Sequence, residues 1–160
     1  MPPSPSKSLS RIREQSQRMR AILASRNLSD PVPKSAWSVS EHLDHTMKVA
    51  TSTIQVLLKP VLPTLPYGVN LIGRLVLFFR WIPRGRGKAP EKLTGIPATR
   101  EDLEARIAEL EALLDRAQES ANGGRDNAPV LRHPLFGGLP FAQALDFIVI
   151  HTNHHLKIIR

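Results

Sequence analysis

The sequence predicts an all-α fold: a four-helix bundle with a short extra helix between the second and third main helices. Four segments carry apolar residues at helical spacing, and no stretch alternates apolar and polar residues with turn signals at hairpin spacing. The chain has 160 residues, 41% of them hydrophobic, which suits one domain with one core. We therefore expect a flexible tail over residues 1–7 and a single helical domain over residues 8–160.

The first two main helices are predicted over residues 8–27 and 37–58. The first is polar and rich in arginine, and the proline-broken segment NLSDPVP ends it. The second begins after Ser38, and Glu41 follows three residues later, which is the spacing of a capping box. Prolines from Pro60 onward then break this helix.

A strongly apolar segment over residues 69–82 predicts the short extra helix. Arg74 and Arg80 interrupt this segment, and it falls short of the roughly 20 residues that span a bilayer. We expect a helix that is buried or lies on the surface, and no membrane span. A basic loop rich in glycine and proline follows over residues 83–98, and no regular structure is predicted there.

The third and fourth main helices follow this basic loop. Thr99 precedes the third helix as its N-cap, Asp102 takes the third helical position, and Gly123 and Gly124 form the stop signal. The fourth helix is predicted over residues 140–160, with a proline suited to its first turn. These two helices complete the predicted bundle.

The composition restricts both the chemistry and the partners. The chain contains no cysteine, so a bound metal must take histidine, aspartate or glutamate ligands. The net charge is +8, but the basic residues are divided between the N-terminal segment and the loop, with few aromatic residues among them, and nucleic acid is not expected as a partner. The first residues lack the apolar core of a signal peptide, which predicts a cytoplasmic protein.

Three of the six histidines lie in the last helix, within the segment HTNHHLKIIR. At about 100° per residue, His151 and His155 lie about 40° apart among the apolar residues, and His154 lies about 60° from His151 at the border of that face. Imidazoles four residues apart face one side of a helix and can bind one ion. The alternative is that both are core histidines, each hydrogen-bonded to a carbonyl or carboxylate group.

A third ligand must come from another helix. The second main helix supplies His42 and His45 in the segment EHLDH. The centre of the apolar face is closer to His42, so periodicity makes it the more buried of the two. Periodicity does not decide which of them reaches the site.

Four stretches of the chain stand out by their order and separation. They are W-S-x-x-E-x-x-x-H at residues 37–45, KAPEKLTGIPA before the acidic third helix, HPLFGGLPFAQALDF, and a closing H-x-x-H-H. Together they resemble the DinB/YfiT-like family of four-helix-bundle metalloenzymes. The resemblance extends from about residue 30 to the last residue.

The resemblance implies a divalent metal ion, zinc or nickel. Its implied ligands are His45, His151 and His155. His42 remains the alternate ligand, because the face calculation slightly favours it over His45. Glu41 and His154 are the candidate hydrogen-bonding partners of the ligating imidazoles. Three neutral imidazoles leave open positions on the ion, as in catalytic sites.

The implied reaction uses a metal-bound thiolate or water as nucleophile, as in a thiol-S-transferase or a hydrolase. Its substrate is a small molecule, such as a low-molecular-weight thiol, and relatives imply a homodimer. The alternative function is a non-catalytic helical interaction or dimerisation domain in which the histidines only pack. A third hypothesis is association of residues 69–88 with a membrane surface, because apolar residues there meet arginine and lysine.

Overall fold

The computed structural model describes residues 3–60, 64–85, 88–121 and 128–160. Within these ranges the chain forms five α-helices, one 3-10 turn and a two-stranded antiparallel sheet. The elements in chain order are α1 (Pro5–Ser25), α2 (Val39–Leu57), α3 (Leu71–Phe79), the turn Glu91–Leu93, α4 (Arg100–Ala121), β1 (Pro129–His133), β2 (Gly137–Pro140) and α5 (Phe141–Ile159). The fold is therefore mostly helical, and the short helix α3 lies between α2 and α4 in the chain, as the sequence predicts.

The predicted start signals of two main helices are confirmed. The amide of Glu41 donates to Ser38 Oγ and the amide of Ser38 donates to the Glu41 carboxylate, which completes the capping box of α2. The amide of Asp102 donates to Thr99 Oγ1 and the amide of Thr99 donates to the Asp102 carboxylate, which fixes the start of α4. Such a cap stabilises a helix by about 0.5–2 kcal/mol. Both helix starts are therefore set by local sequence.

Helix α1 begins three residues earlier than the sequence predicts. The side chain of Ser4 caps it, and Pro5 takes the first helical position. Residues 5–7, which were expected in the tail, are helical because a capping serine followed by proline is itself a start signal. Residues 1–2 of the predicted tail lie outside the described residues, as does the predicted stop signal at residues 123–124.

Helices α1 and α2 each pack against both α4 and α5. Their facing sides bury a cluster of aliphatic and aromatic side chains. The largest fully buried side chains are Leu9, Ile12, Met19, Leu23, Leu43, Met47, Ile54, Leu57, Leu103, Ile107, Leu110 and Leu114. Burying one such side chain stabilises a fold by about 1.5–3 kcal/mol relative to leaving it exposed. The apolar stripes of the long helices therefore form the core.

A β-hairpin precedes α5, and the prediction that the chain has no strand was wrong here. Strand β1 pairs with β2, with Leu131 opposite Leu139 and His133 opposite Gly137. The strands have five and four residues, and their sequences, PVLRH and GGLP, contain proline and glycine. Too few positions remain for an alternating pattern to show. The hairpin is therefore specified by its tertiary contacts more than by its periodicity.

The hairpin packs closely on residues 65–70, the segment that leads into α3. The amide of Gly138 donates to the carbonyl of Gly68 at 3.0 Å. A β-carbon on Gly138 would clash with the carbonyl of Tyr67, and Gly137 has a φ of 82°, which favours glycine. Both glycines of GGLP are thus required by the close approach of this segment.

Helix α3 lies on the surface and exposes most of its apolar side chains. It buries Gly73 and Val76. We call its outer side the α3 apolar face, formed by the exposed side chains of Leu71, Ile72, Leu75, Phe78, Phe79 and Trp81. The guanidinium group of Arg80 binds the buried carboxylate of Asp146 through two hydrogen bonds of 2.8 Å, which ties the end of α3 to α5. None of the helices in the described ranges combines the length and the apolarity that a bilayer crossing requires.

Candidate metal centre

Helices α2 and α5 bring five histidines together. Helix α2 carries His42 and His45, and α5 carries His151, His154 and His155. The side chains of His42, His45 and His155 are buried, and those of His151 and His154 are half-buried. The ring centroid of His45 lies 4.9 Å from that of His151 and 4.8 Å from that of His155. The two histidine segments singled out in the sequence therefore meet at one place.

One nitrogen atom from each of three imidazoles lies within 4.8 Å of the other two. The three residues, which we call the three-histidine group, are His45, His151 and His155. His45 Nε2 and His151 Nε2 are 3.1 Å apart. Three imidazoles this close together could bind a metal ion.

Burial holds the three-histidine group in its neutral form. Burial lowers the pKa of His151 well below its ordinary value, and the neighbouring His45 and His154 lower it further. Burial likewise lowers the pKa of His155, with His151 and His45 adding to the effect. The pKa of His45 is also lowered by burial, although a hydrogen bond to Leu93 opposes this. The neutral imidazole is the form that binds a metal, so the donor set fits a divalent ion at neutral pH.

A backbone carbonyl fixes the tautomer of His45. His45 Nδ1 lies 2.6 Å from the carbonyl oxygen of Leu93. Because a carbonyl oxygen only accepts hydrogen bonds, Nδ1 carries the proton and Nε2 presents its lone pair to the three-histidine group. Leu93 belongs to the turn Glu91–Leu93, within the loop for which no regular structure was predicted. Sequence reasoning missed this contact, since no local pattern reports it.

Residues 90–98, which we call the strap, are tied to α2 by a buried carboxylate. The side chain of Asp44 is fully buried, and its oxygens lie 2.7 Å from Lys48 Nζ and 3.0 Å from Arg106 Nε. Asp44 also accepts a hydrogen bond of 3.0 Å from the amide of Ile96 in the strap. One carboxylate therefore joins α2, α4 and the strap.

A glycine allows the strap to lie directly on α2. A β-carbon on Gly95 would clash with the backbone carbonyl of Glu41. This close approach places the carbonyl of Leu93 within hydrogen-bond distance of His45. The strap thus acts on the three-histidine group by orienting one of its members.

A chain of hydrogen bonds reaches His155 through the other histidine of α2. His155 Nδ1 lies 2.9 Å from His42 Nδ1, and His42 Nε2 lies 2.8 Å from Ser35 Oγ. The amide of Trp37 also donates to Ser35 Oγ, at 3.1 Å. Burial lowers the pKa of His42 to about 4, so each ring is neutral and carries one proton. His42, the alternate ligand of the sequence analysis, is therefore a hydrogen-bonding neighbour of the three-histidine group and lies outside it.

The comparison with family models decides which family the chain belongs to. A model described as the DinB superfamily matches residues 27–159. The chain belongs to the DinB superfamily. The resemblance found in the sequence is thereby confirmed, and the matched range contains every histidine described above. No curated protein and no solved structure gives a significant match.

The other residues that the sequence analysis of this DinB-superfamily chain names as site candidates lie around the three-histidine group. The carboxylate of Glu41 accepts hydrogen bonds from Ser38 and so serves the cap of α2. The ring centroid of His154 lies 5.1 Å from that of His155. The indole of Trp37 lies 4.9 Å from the ring of His45, centroid to centroid. Glu41 thus fixes the helix that carries His45, while His154 and Trp37 are neighbours of the imidazoles themselves.

The three-histidine group lines a cavity of about 560 Å³ in the DinB fold. Its other walls come from the strap, the hairpin, and the segments that precede α2 and follow α3. His133 of β1 also lines it and stacks on Phe136, with centroids 4.1 Å apart and the rings within 7° of parallel. Burial lowers the pKa of His133 to about 4. A cavity of this volume is in the range of small-molecule sites.

Proposed function

We propose that this DinB-superfamily protein is a metal-dependent enzyme that acts on a small molecule. His45, His151 and His155 would hold a divalent ion, zinc or nickel, both of which accept imidazole ligands. The observation that carries the proposal is the convergence of three neutral imidazoles at the wall of a cavity large enough for a substrate. Histidines that served only to pack the core would need no such cavity beside them.

The fold that presents this site is, in our proposal, a four-helix bundle made of α1, α2, α4 and α5. Its support is the packing of α1 and of α2 against both α4 and α5. Metal sites in such bundles are built from side chains that project inward from facing helices. The histidines of α2 and α5 follow that arrangement.

The chain's own residues prepare the site for chemistry. A bound divalent ion supplies Lewis acidity and makes a thiol or a water molecule nucleophilic near neutral pH. The carbonyl of Leu93 keeps the proton on His45 Nδ1, and the pair of His42 and Ser35 orients His155. The reaction we propose is transfer of a low-molecular-weight thiol or hydrolysis. We place it in the cytoplasm, where such thiols are kept reduced.

Elemental analysis of the purified protein tests the metal site. We expect about one zinc or nickel ion per chain, and less than about a tenth of that in His151→Ala, because two imidazoles hold an ion weakly. His154→Ala is the matched control: it removes a neighbouring imidazole from the same helix and leaves the three-histidine group complete. Its metal content should stay near that of the parent protein. A metal-free parent protein whose melting temperature does not rise with added zinc or nickel would contradict the proposal.

A second candidate function is a helical interaction domain, and one observation favours it. The α3 apolar face exposes six large side chains, with Phe78 80% exposed. Contiguous apolar surface of this kind is typical of protein interfaces. We propose that this face joins two copies of the chain in a homodimer.

Light scattering during gel filtration tests the homodimer. The double variant Leu75→Ser, Phe78→Ser should elute as a monomer, whereas Ile96→Ser, which changes an exposed aliphatic residue outside α3, should remain dimeric. A parent protein that is monomeric at about 100 µM would exclude this homodimer.

The stability of His151→Leu distinguishes a metal-binding role of the histidines from a purely packing role. If they only pack, His151→Leu leaves the free energy of unfolding unchanged or raises it, because an apolar side chain at this half-buried position avoids the cost of burying a polar group. A loss of more than about 2 kcal/mol would indicate a ligand or a buried hydrogen-bonding role.

A further inference from the structure

Four cationic side chains line the cavity beside the three-histidine group. We call them the basic rim: Lys34, Arg84, Lys88 and Arg132. All four are exposed, whereas the imidazoles at the cavity wall are buried or half-buried, so the basic rim marks the open side of the cavity. They come from three separate parts of the chain: the loop before α2, the loop after α3, and strand β1. The fold therefore gathers charges that are far apart in sequence.

These charges have no acidic counterpart in the part of the chain that the structure describes. No aspartate or glutamate is among the described residues that line the cavity. None of the four cations forms an ion pair with a described carboxylate, although other cations of the chain do, such as Arg13 with Asp115 and Arg20 with Glu111. Unpaired charges of one sign around a cavity attract and orient a ligand of the opposite sign.

The inner wall of the cavity adds no negative charge. The three-histidine group is neutral, and three neutral ligands leave the double positive charge of a bound divalent ion uncompensated. With or without such an ion, the only formal charges on the described lining residues are positive. A ligand that carries a negative charge is therefore favoured over a neutral or cationic one of the same shape.

Apolar side chains cover much of the remaining wall. They include Val49, Val56, Leu131, Phe147 and Ile158. A hydrocarbon segment packed against them gains the free energy of leaving water. A small, fully polar anion would leave this surface without a partner, so the cavity is suited to a molecule that has both an apolar body and an acidic group.

We propose that the substrate is an amphipathic anion, with its apolar body against this wall and a carboxylate or phosphate group at the basic rim. This inference rests on the proposed function, because it treats the bound anion as the substrate of a reaction at the three-histidine group. The basic rim itself contains no residue of that group. Anion binding and metal binding can therefore be measured separately.

The binding experiment uses Trp37 as its reporter. The chain has two tryptophans, and Trp81→Phe leaves only Trp37, which lines the cavity. This variant is titrated with four probes that share one alkyl chain: octanoate, octyl phosphate, octanol and octylammonium. Each titration is done on EDTA-treated and on zinc-loaded protein. We expect at least one anion to bind about tenfold more tightly than octanol in both forms, and octylammonium to bind most weakly.

Variants of the basic rim identify the residues involved. In the same background, Lys88→Gln and Arg132→Gln should each weaken binding of the preferred anion by about two- to fivefold and leave octanol binding unchanged. Arg116→Gln, an exposed cation on α4 outside the cavity, is the matched control and should have no effect. Comparing octanoate with octyl phosphate shows which acidic group is preferred, and preference for either supports the proposal.

Several outcomes separate this proposal from the proposed function. Equal affinity for octanol and both anions would overturn it, as would anion binding that is lost in His151→Ala but unchanged by the variants of the basic rim. A protein that binds no metal but prefers the anions would refute the metal-dependent enzyme and keep the anion site. A protein that binds zinc but shows no preference for the anions would refute the anion site and keep the proposed metal centre.

Discussion

Helices α4 and α5 have equivalent positions in the fold but different interiors. Each packs against both α1 and α2. The buried side chains described for α4 are all apolar: Leu103, Ile107, Leu110, Leu113, Leu114 and Ala117. Helix α5 buries Asp146, Thr152 and His155 as well as its apolar stripe. Helix α5 also packs against α3 and both strands, where Asp146 binds Arg80, so its buried polar residues serve contacts beyond the packing that the two helices share.

The buried polar side chains of α5 need hydrogen-bond partners, whereas the buried apolar side chains of α4 do not. Burying a polar group costs free energy unless it is hydrogen-bonded. Asp146 is bonded twice by Arg80, and His155 is bonded by His42. His151 Nδ1 is buried and has no hydrogen-bond partner among the described residues. The difference indicates that the buried side of α4 serves packing alone, whereas α5 also buries polar groups at a cost in free energy.

The largest expected effect comes from creating a cavity in the core beside α4. Leu110 is fully buried, so Leu110→Ala should lower the free energy of unfolding by about 2–5 kcal/mol, through lost burial and the cavity that remains. The measurement is urea unfolding of EDTA-treated protein. Metal content at low temperature, where the variant is folded, should equal that of the parent protein. A variant that loses metal while still folded would show that α4 also shapes the site.

Local spacing explains why α4 and the histidines of α5 were predictable. The cap formed by Thr99 and Asp102 lies within one helical turn, and the apolar stripe of α4 repeats at helical spacing. The position of His155 among apolar residues follows from the same periodicity, and it is buried in the structure. Features that depend on residues a few positions apart are visible in a single sequence.

The other parts of the site depend on contacts across the chain. His42 and His45 are 3% and 5% exposed, so burial does not separate them, and only the contacts of each ring do. His45 meets the carbonyl of Leu93, 48 residues away, and His42 meets His155, 113 residues away. The hairpin likewise forms on a segment distant in sequence, through Gly138 and Gly68. No periodicity within one segment encodes such pairings.

An intermediate effect is expected from displacing the strap from its close contact with α2. Gly95→Ala places a β-carbon against the carbonyl of Glu41, so the strap must shift and the bond from His45 to Leu93 must lengthen. We expect about 1–3 kcal/mol less stability and about 10–100-fold weaker zinc binding, the usual cost of losing a partner of a metal-binding imidazole. Zinc affinity is measured by competition with a chromophoric chelator.

A matched glycine controls for the change in backbone entropy. A β-carbon on Gly68 would meet no atom within 4 Å, so Gly68→Ala should leave both stability and zinc affinity close to those of the parent protein. If Gly95→Ala bound zinc as tightly as Gly68→Ala, the strap would have no part in orienting His45. The difference between the α4 side and the α5 side would then involve only residues of the helices.

The smallest expected effect is a pH dependence on the α5 side. His133 packs against Phe147 of α5, and burial lowers its pKa to about 4, whereas an unfolded chain has a histidine pKa of about 6.5. Above pH 6.5 the ring is neutral in both states. As the pH falls below 6.5, the unfolded chain binds a proton that folded His133 does not, so stability falls by about 1 kcal/mol between pH 6 and pH 5.

His133→Asn isolates this contribution, because asparagine does not titrate and its side-chain oxygen can accept the bond that the Leu135 amide donates to His133 Nδ1. In EDTA, the slope of stability against pH between 6 and 5 should be shallower in His133→Asn than in the parent protein. Leu110→Ala should keep the parental slope, because the buried residues of α4 have no titratable group. A slope unchanged by His133→Asn would mean that this imidazole is solvated in the folded state. The pH-dependent cost on the α5 side would then come from the histidines of α2 and α5.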